Sequence, residues 1–390
     1  MRIVIALGGN ALLQRGEKPD AAVQRRHVRR AAQSLALLAA DHQLIICHGN
    51  GPQVGLLAQE SETDPALSLP YPLDVLGAQT QGMIGYWLVQ ELHNAGMPAV
   101  AVLTQTVVDA DDPALAAPTK FIGPSYDEQP ARTLADQRGW QIRRDGDRWR
   151  RIVASPQPRG LVEIETVRAL ADGGRVVVCG GGGGVPVVET ADGQLVGVDA
   201  VVDKDLTAAM LALRLGAQRL LVLTDVPAVM RNYGTLAATP IHTIDVDTLA
   251  GMRFPAGSMA PKIEACIRFA RASGHAAAIG ALGDAAAVLA GTAGTTVVPV
   301  LVNAQHGGEM TTPAGESALH ELKIEVEAEL AMAESSHPED AASVPVAEWL
   351  FDQADAEREV IGLRSLLGAV EALEAGSGPG DRSTAAAAKQ

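Results

Sequence analysis

Residues 3–10 read Ile3-Val4-Ile5-Ala6-Leu7-Gly8-Gly9-Asn10. A short, continuous apolar run that stops at a glycine turn is typical of a buried parallel strand. Residues 20–40 then have the spacing of a helix, and a second apolar run, Leu44-Ile45-Ile46-Cys47, stops at His48-Gly49-Asn50-Gly51-Pro52. The order strand, helix, strand predicts a βαβ unit, for which a right-handed crossover is expected.

Two later apolar runs end in the same way. The run 175–179 is followed by five glycines, Gly180 to Gly184, and the run 220–223 is followed by Thr224-Asp225. Because the carboxyl ends of parallel strands lie along one edge of an open α/β sheet, we expect these four turns to meet at one crevice. Glycines there would let backbone N–H groups approach an anion closely.

Composition and charge limit the classes of function. The chain has 390 residues, of which 47% are hydrophobic, 3% are aromatic and 40 are glycine. This aliphatic, glycine-rich composition favours a parallel sheet covered by helices. Residues 309–390 hold 5 Lys/Arg against 17 Asp/Glu, a net −12 of the total −15, so the first 308 residues are close to neutral at −3. With no basic excess and no apolar run of about 18 residues, we expect neither a nucleic-acid nor a membrane partner.

The cysteines and the amino-terminal residues indicate in which cellular compartment the protein is expected. Cys47, Cys179 and Cys266 are odd in number and form no CxxC pair. This pattern predicts free, buried thiols and neither a disulfide framework nor a structural zinc site. Met1 leads into an apolar strand without the pattern of a signal peptide, so we expect a cytoplasmic protein.

The charged triplet Asp203-Lys204-Asp205 lies between an apolar run and a segment with helical character. This arrangement places it at a helix N-terminus. In one interpretation an aspartate caps the helix and Lys204 faces solvent. In the other, Lys204 meets a phosphoryl group at the positive end of the helix, and an aspartate holds the lysine. The convergence of the turns favours phosphate binding at Lys204. Lys262 lies near the start of a second predicted helix, 263–272, a position that also suits a phosphate. Taken by itself, however, Lys262 is expected to be an exposed lysine of the first turn.

Residues 110–158 have a different pattern, with a proline-containing loop followed by two strand-like arms, 140–153, around Asp145-Gly146. That dipeptide is typical of a type I′ hairpin turn. The segment predicts a small protruding subdomain, the lid, that covers the crevice. We expect most of its arginines to lie on a solvated face.

A crevice of backbone donors with isolated lysines and no obvious nucleophile suits phosphoryl transfer. The sequence has no GxxxxGK[ST] and no GxGxxG that opens a helix. It therefore predicts neither a P-loop nucleotide site nor a dinucleotide-binding dehydrogenase. His48 is either a general base or a turn histidine bonded to nearby backbone.

Several motifs, in order along residues 1 to about 300, resemble those of the carbamate kinases in the amino acid kinase family. They are Ala6-Leu7-Gly8-Gly9-Asn10-Ala11, His48-Gly49-Asn50-Gly51-Pro52-Gln53-Val54-Gly55, Pro72-Leu73-Asp74, Gln81-Gly82-Met83-Ile84-Gly85-Tyr86, Pro118-Thr119-Lys120, Ile122-Gly123-Pro124, Asp203-Lys204-Asp205, Gly257-Ser258-Met259 and Pro261-Lys262. Other branches of that family carry a lysine on the first strand, where this sequence has Ala6; Lys120 matches the lysine that replaces it in carbamate kinases.

The resemblance implies a three-layer α/β/α sandwich with a mainly parallel central sheet that forms a homodimer. The implied reaction is ATP + carbamate ⇌ ADP + carbamoyl phosphate, with Mg²⁺ held mainly by the nucleotide phosphates. The resemblance also implies that the reaction runs toward ATP in amino-acid catabolism, including arginine metabolism, or in purine-nitrogen catabolism. The expected domains are a kinase domain over 1–303 with the lid at 110–158, an acidic helical extension over 304–375 that the resemblance does not cover, and a disordered tail over 376–390.

The resemblance also implies roles for individual residues. The implied catalytic residues are Lys120, Lys204, Asp205 and Lys262. The implied substrate-binding residues are Gly8, Gly9, Asn10, Asn50, Gly51, Gly181, Gly182 and Gly183. The implied nucleotide-binding residues are Thr224, Asp225, Tyr233, Met259 and Lys262, and no metal ligand is expected from the protein.

Three positions depart from the family pattern: Phe121, Ser125 and Ala260. These departures put in question how the lid packs and how the site residues are positioned in detail. Two alternatives stay open at this point. In the first, the protein is another amino acid kinase that acts on a different small acid. In the second, it is a nucleotide-binding regulator without turnover.

Overall fold

The computed structural model describes residues 1–9, 12–14, 16–235, 237–252, 254 and 259–299. The predictions for Asn10, for the helical extension over 304–375 and for the tail over 376–390 fall outside the described residues. The helices and strands of the described part are, in chain order, β1 (Arg2–Leu7), α1 (Ala21–Ala39), β2 (Gln43–His48), α2 (Gly51–Thr63), α3 (Leu73–Asn94), β3 (Ala99–Ala101), β4 (Gln105–Val108), α4 (Pro113–Ala116), β5 (Lys120–Tyr126), α5 (Glu128–Arg138), β6 (Gln141–Asp145), β7 (Arg148–Val153), β8 (Pro158–Leu161), α6 (Ile164–Asp172), β9 (Val176–Val178), β10 (Val185–Glu189), β11 (Leu195–Gly197), α7 (Lys204–Arg214), β12 (Arg219–Thr224), β13 (Val229–Arg231), β14 (Thr239–Ile241), β15 (Thr243–Asp245), α8 (Val246–Gly251), α9 (Met259–Ser273), β16 (Ala277–Ala281), α10 (Ala285–Ala290) and β17 (Thr295–Val298).

The central sheet has eight strands in the order β15-β17-β16-β12-β1-β2-β9-β3. The β16–β17 pair is antiparallel, and the other neighbouring pairs are parallel. The predicted mainly parallel sheet is therefore confirmed. The four strands predicted to end at one crevice are β1, β2, β9 and β12, and they are consecutive neighbours in this sheet. Their carboxyl ends lie side by side for that reason.

Helices cover both faces of the sheet, which explains why its strands are continuously apolar. On one face, Val4 and Ala6 of β1 belong to a buried cluster that includes residues of α7 and α9. On the other face, Ile3 and Ile5 belong to a second cluster that includes residues of α1 and α3. The result is the three-layer α/β/α sandwich expected from the sequence.

Two helices begin earlier than the sequence pattern indicates. The apolar spacing of residues 79–94 predicts a helix there. That helix begins at Leu73, after Pro72 in the N-cap position, and carries Asp74 in its first turn. The helix expected from 263 begins at Met259. Polar or proline residues in a first turn obscure the apolar spacing on which the sequence pattern depends.

The lid contains the three-stranded antiparallel sheet β5-β7-β6 together with α5. Asp145 pairs with Arg148, so the two residues of the hairpin loop are Gly146 and Asp147. The left-handed region is occupied by Gly146, at a φ of 67°, and not by Asp147. The predicted type I′ turn on Asp145-Gly146 is therefore wrong, because a positive φ at the first loop residue alone is the pattern of a type II′ turn.

The lid docks against α2 through a contact between two glycines. A Cβ added to Gly55 of α2 would lie 2.0 Å from the Cα of Gly123 in β5. Around this contact, Ile122 and Val153 of the lid share a buried apolar cluster with Val54 of α2. Backbone therefore lies directly on backbone where the lid meets α2.

In the described part of the chain, no helix combines the length and the apolar character needed to cross a bilayer.

Gly55→Ala should destabilise the protein by about 1–3 kcal/mol, because its Cβ cannot fit without moving backbone. The matched control is Gly77→Ala in α3, where an added Cβ meets nothing within 4 Å. Gly77→Ala should stabilise by about 0.5–1 kcal/mol, as expected for a helix interior. Denaturant unfolding of both variants measures the difference, and equal midpoints would contradict the close docking of lid and α2.

Candidate active site

The N-terminus of α7 holds a buried cluster of opposite charges. Lys204 Nζ lies 2.6 Å from Asp205 Oδ1, and Lys262 Nζ, from the first turns of α9, lies 3.0 Å from Asp205 Oδ2. Lys204 is 8% exposed, Lys262 6% and Asp205 3%. One carboxylate thus holds two ammonium groups side by side at the carboxyl edge of the sheet.

Asp203 is the N-cap residue of α7, and its Oδ1 accepts a hydrogen bond of 2.9 Å from the backbone N–H of Asp205. Its other oxygen, Oδ2, accepts from Lys120 Nζ of the lid. The two interpretations of the charged triplet therefore each describe a part of it. An aspartate caps the helix, but Lys204 is buried and held by Asp205 and does not face solvent.

The electrostatics of the cluster favour its charged form. Burial by itself raises the pKa of Asp205, but Lys204 and Lys262 outweigh burial and hold that pKa well below its usual value. Burial lowers the pKa of Lys204, yet Asp205 and Asp203 raise it above its ordinary value. The pKa of Lys262 is lowered, first by burial and then by Lys204. With three ammonium groups and two carboxylates, the cluster carries one net positive charge.

The five-glycine turn between β9 and β10 lies against this cluster. Gly180 and Gly182 adopt left-handed φ values of 62° and 64° on either side of Gly181. Alternation of this kind forms a concave set of backbone N–H groups that suits an anion. The turn is tied to α7, because the hydroxyl of Thr207 donates to Gly183 O at 2.9 Å. A Cβ at Gly182 would lie 2.1 Å from Asn50 Nδ2, so the turn also closes on the end of β2.

The turns after β1 and β2 complete the same edge. A Cβ at Gly49 would lie 2.8 Å from Gly9 N and 3.3 Å from Cε of Lys204, so the two turns meet and the turn after β2 lies against the lysine. Gly8 N donates to Leu223 O of β12 at 2.8 Å. The residue after Asn50, Gly51, is the first residue of α2. The structure therefore brings together the glycine turns and the charged residues that the sequence singled out, apart from Asn10, which is not described.

The residues expected near a nucleotide are less closely grouped. Thr224 ends β12 beside Gly8, and its hydroxyl donates to Asp225 Oδ1 at 3.0 Å. Met259 begins α9 and packs against the apolar cluster on that face of the sheet. Tyr233 lies in the turn between β13 and β14 and is 73% exposed. The structure thus places Thr224 and Asp225 at the carboxyl edge but leaves Tyr233 on an exposed turn.

His48 is a buried turn histidine. Its Nδ1 lies 3.1 Å from Gly49 O. Burial, and to a lesser degree Lys204, lowers the pKa of His48 to about 4, so the ring is neutral at pH 7. The geometry favours the backbone-bonded interpretation of this residue. Cys47, Cys179 and Cys266 are free and buried.

Sequence analysis missed several polar residues that hold the glycine turn. Thr104 Oγ1 accepts from Gly180 N at 2.8 Å and donates to Gln81 Oε1 at 3.0 Å. Thr106 Oγ1 donates to Gly183 O at 2.7 Å. Isolated threonines after a short strand carry no motif, so their role depends on contacts that the sequence does not display.

A second charged cluster fastens the lid to α2. Glu62 of α2 accepts from Arg138 Nη1 at 3.1 Å, from Arg151 Nη1 at 2.8 Å and from Trp140 Nε1 at 2.9 Å. The guanidinium groups of Arg138 and Arg151 each lie 5.1 Å from the ring centroid of Trp140. The Glu62 side chain is 12% exposed. Some lid arginines therefore hold the lid in place and do not form the solvated face that the sequence predicts for most of them.

A parallel α/β sandwich with a buried lysine cluster and glycine turns at its carboxyl edge defines a phosphate-handling enzyme of the α/β class. The model of the amino acid kinase family matches residues 1–281. The chain belongs to the amino acid kinase family, which confirms the resemblance found in the sequence.

The chain is similar to individual carbamate kinases over about three quarters of its length. It is 48% identical over 303 residues to the carbamate kinase of Rhizobium meliloti, covering 76% of this chain and 93% of that protein. It is 44% identical to the carbamate kinase of Pyrococcus horikoshii, covering 76% and 99%. Among solved structures, carbamate kinase from Giardia lamblia bound to citric acid matches with a TM-score of 0.72 at 37% identity, covering 76% and 98%.

Asp205→Asn should lower the free energy of unfolding at pH 7 by about 3–5 kcal/mol, because two buried ammonium groups lose their shared counter-charge. The deficit should shrink as the pH rises toward 10. In the variant, the buried lysines no longer have the carboxylate that favours their protonated form. A buried lysine with a lowered pKa binds fewer protons in the folded than in the unfolded state, so the free energy of unfolding of the variant increases with pH. Denaturant unfolding at several pH values measures both effects. Asp136→Asn, at an exposed position in α5, is the control, and an unchanged midpoint for Asp205→Asn would contradict the shared ion pair.

Glu62→Gln should loosen the lid while the central sheet stays intact. Loss of charge-assisted hydrogen bonds worth about 1.5–3 kcal/mol should speed amide exchange in α5 and β7 by about tenfold or more. Glu128→Gln is the control, because its pair with Arg132 is solvent-exposed and contributes little. Equal exchange in the two variants would show that Glu62 does not fasten the lid.

Proposed function

We propose that this protein is a carbamate kinase that transfers a phosphoryl group between carbamoyl phosphate and ADP. The observation that carries the proposal is the use of lysine. Residues 1–300 contain four lysines, and three of them, Lys120, Lys204 and Lys262, converge on one pair of aspartates. The similarity to carbamate kinases at 44–48% identity supports the choice of substrate.

The lysine cluster suits a reaction in which negative charge moves between donor and acceptor oxygens. In phosphoryl transfer, catalysis is mainly positioning and charge stabilisation. Asp205 holds Lys204 and Lys262 in fixed positions in a buried site, where charges act more strongly than in water. These two ammonium groups stabilise the phosphoryl oxygens as the bond to one oxygen breaks and the bond to the other forms.

Backbone donors supply the rest of the anion site. The glycine turn, which includes Gly181 to Gly183, closes on Asn50, and the turn at Gly8 and Gly9 meets Gly49, whose added Cβ would lie 3.3 Å from Cε of Lys204. The N-termini of α2, at Gly51, and of α7 add the positive ends of two helix dipoles. The small carbamoyl group binds among these donors and near Asn50, and Lys120 closes over it from the lid.

The nucleotide binds on the β12 side of the same edge. Thr224 and Asp225 lie at the end of β12, and Met259 and Lys262 lie in the first turns of α9. Tyr233 is exposed and available to border the base. One solved relative, the carbamate kinase from Giardia lamblia bound to AMP-PNP, is a nucleotide complex.

Mg²⁺ accompanies the nucleotide in this proposal. Asp203 and Asp205 are each paired with lysine, so neither carboxylate fits the role of a metal ligand. Among the described residues, no cluster of His, Cys, Asp and Glu is arranged to hold a metal ion. In this proposal the nucleotide phosphates hold most of the ligand positions of the ion, and no step above depends on it.

We further propose a cytoplasmic homodimer that makes ATP from carbamoyl phosphate in arginine metabolism. Large apolar side chains are exposed on α3 and just after the edge strand β3, with Tyr86 of α3 55% accessible and Leu103, two residues after β3, 56% accessible. A second copy would cover such a surface. The use of ADP as a substrate and the presence of three free cysteines fit the cytoplasm.

Lys204→Ala and Lys120→Ala should each lower kcat for ATP formation from ADP and carbamoyl phosphate by about 10²–10³-fold, because a buried or directed donor for the developing charge is lost. A coupled ATP assay measures the rates, and circular dichroism checks the fold. The matched control is Lys18→Ala, the fourth lysine of residues 1–300, which is exposed and should leave the rate unchanged.

Absence of ATP formation by the wild-type protein would overturn the proposal. If ADP still bound tightly, the protein would be a nucleotide-binding regulator. If a panel of small acids revealed a different phosphoryl acceptor, it would be another member of the amino acid kinase family.

A further inference from the structure

Asp203 connects two parts of the site through its two carboxylate oxygens. Oδ1 accepts from the backbone N–H of Asp205 and so caps α7, and Oδ2 accepts from Lys120 Nζ of the lid. The residue is 6% exposed. A single buried carboxylate therefore fixes both the start of the catalytic helix and the cation that the lid contributes.

The three lysines divide unequally between the two aspartates. Lys204 and Lys262 both bind Asp205, whereas Lys120 binds Asp203. The side chain of Lys120 is 31% exposed, compared with 10% for Lys204 and 8% for Lys262. Lys120 is thus the member of the cluster that lies at its solvent side and has room to change partner.

The backbone around Asp203 is joined to the root of the lid. Val201 N donates to Ala154 O at 3.0 Å, directly after β7. Val201 also shares an apolar cluster with Ile122 and Val153 of the lid. The carboxylate of Asp203 therefore lies at a set distance from the strand that carries Lys120.

We propose that Asp203 is the positioning residue for Lys120: it holds the lid ammonium at the mouth of the cluster and transfers it to the phosphoryl group when substrate binds. The proposal rests on the proposed role of Lys120 in phosphoryl transfer. The exchange is favourable because a phosphate group carries about −1.5 to −2 charges, against one on the carboxylate. Lys120 then moves to the substrate from one defined position, and its side chain does not have to be ordered from many solvent-exposed conformations.

Asp203→Asn separates this role from helix capping. Asparagine caps a helix as well as aspartate does, but its neutral amide does not hold an ammonium group by charge. We expect kcat for ATP formation to fall by about 10–100-fold, as for a misplaced catalytic group. KM for carbamoyl phosphate should not rise, because the site becomes more positive. Asp245→Asn is the control: Asp245 caps α8 through the N–H groups of Asp247 and Thr248, and none of the lysines in the described part of the chain pairs with it, so both parameters should stay unchanged.

A double-mutant cycle tests whether Asp203 acts through Lys120. In a Lys120→Met background, Asp203→Asn should change kcat by less than about twofold, because the residue it positions is gone. A loss of the same size in both backgrounds would overturn the inference while leaving the kinase assignment intact. A raised KM with kcat unchanged would overturn it as well.

Amide exchange provides a readout that does not depend on turnover. Asp203→Asn and Lys120→Met should each speed exchange in β5 and β7 by the same factor, and the double variant should be no faster than either. Additive effects would overturn the inference. If the wild-type protein formed no ATP, the proposed function would fail, and this exchange cycle would still decide whether Asp203 holds Lys120.

Discussion

The site depends on one buried carboxylate, that of Asp205, which binds two lysines at once. Two ammonium groups at such a short separation in a nearly dry site would repel each other, and both would lose their hydration. The shared carboxylate offsets both costs at Lys204, whose pKa is raised, and offsets them in part at Lys262, whose pKa stays lowered. Because it neutralises one positive charge and not both, the cluster keeps the net positive charge that an anionic substrate requires.

The sheet determines where this cluster can form. Its central strands are buried on both faces, so their backbone turns at the carboxyl edge are the positions where polar groups can meet a ligand. At that edge the space is very limited: a single added Cβ at Gly182 would overlap Asn50, and one at Gly49 would crowd Gly9. The glycines therefore serve close packing of four turns as well as the approach of backbone N–H groups to an anion.

The lid is coupled to the site by the helix on which it rests. The helix α2 begins with Gly51 beside the anion site, meets the lid at the contact of Gly55 with Gly123, and ends near the Glu62 cluster. The lid therefore contacts this helix both at its middle and near its end. The pair of Lys120 with Asp203 joins the lid to α7 as well. These two attachments restrict how the lid can move over the crevice.

Local sequence patterns determined the strands, the glycine turns and the charged triplet, because each depends on residues that are close in the chain. The apolar run of β1 with its Gly-Gly turn, and Asp203-Lys204-Asp205 before a helix, could be interpreted without any long-range information. The family resemblance added Lys120 and Lys262 to the predicted site. The predicted roles of individual residues, and the domain boundaries beyond residue 299, stay predictions.

The tertiary structure alone decided how charges and contacts are shared. Asp203 had no assigned partner in the sequence, yet it binds a lysine 83 positions away. Thr104, Thr106 and Glu62 carry no motif, and their roles arise from packing between elements that are distant in sequence. The hairpin turn also differed from its dipeptide signal, because strand pairing set the register and moved the loop by one residue. Such choices depend on the energy of contacts between distant segments, which residue spacing along the chain does not encode.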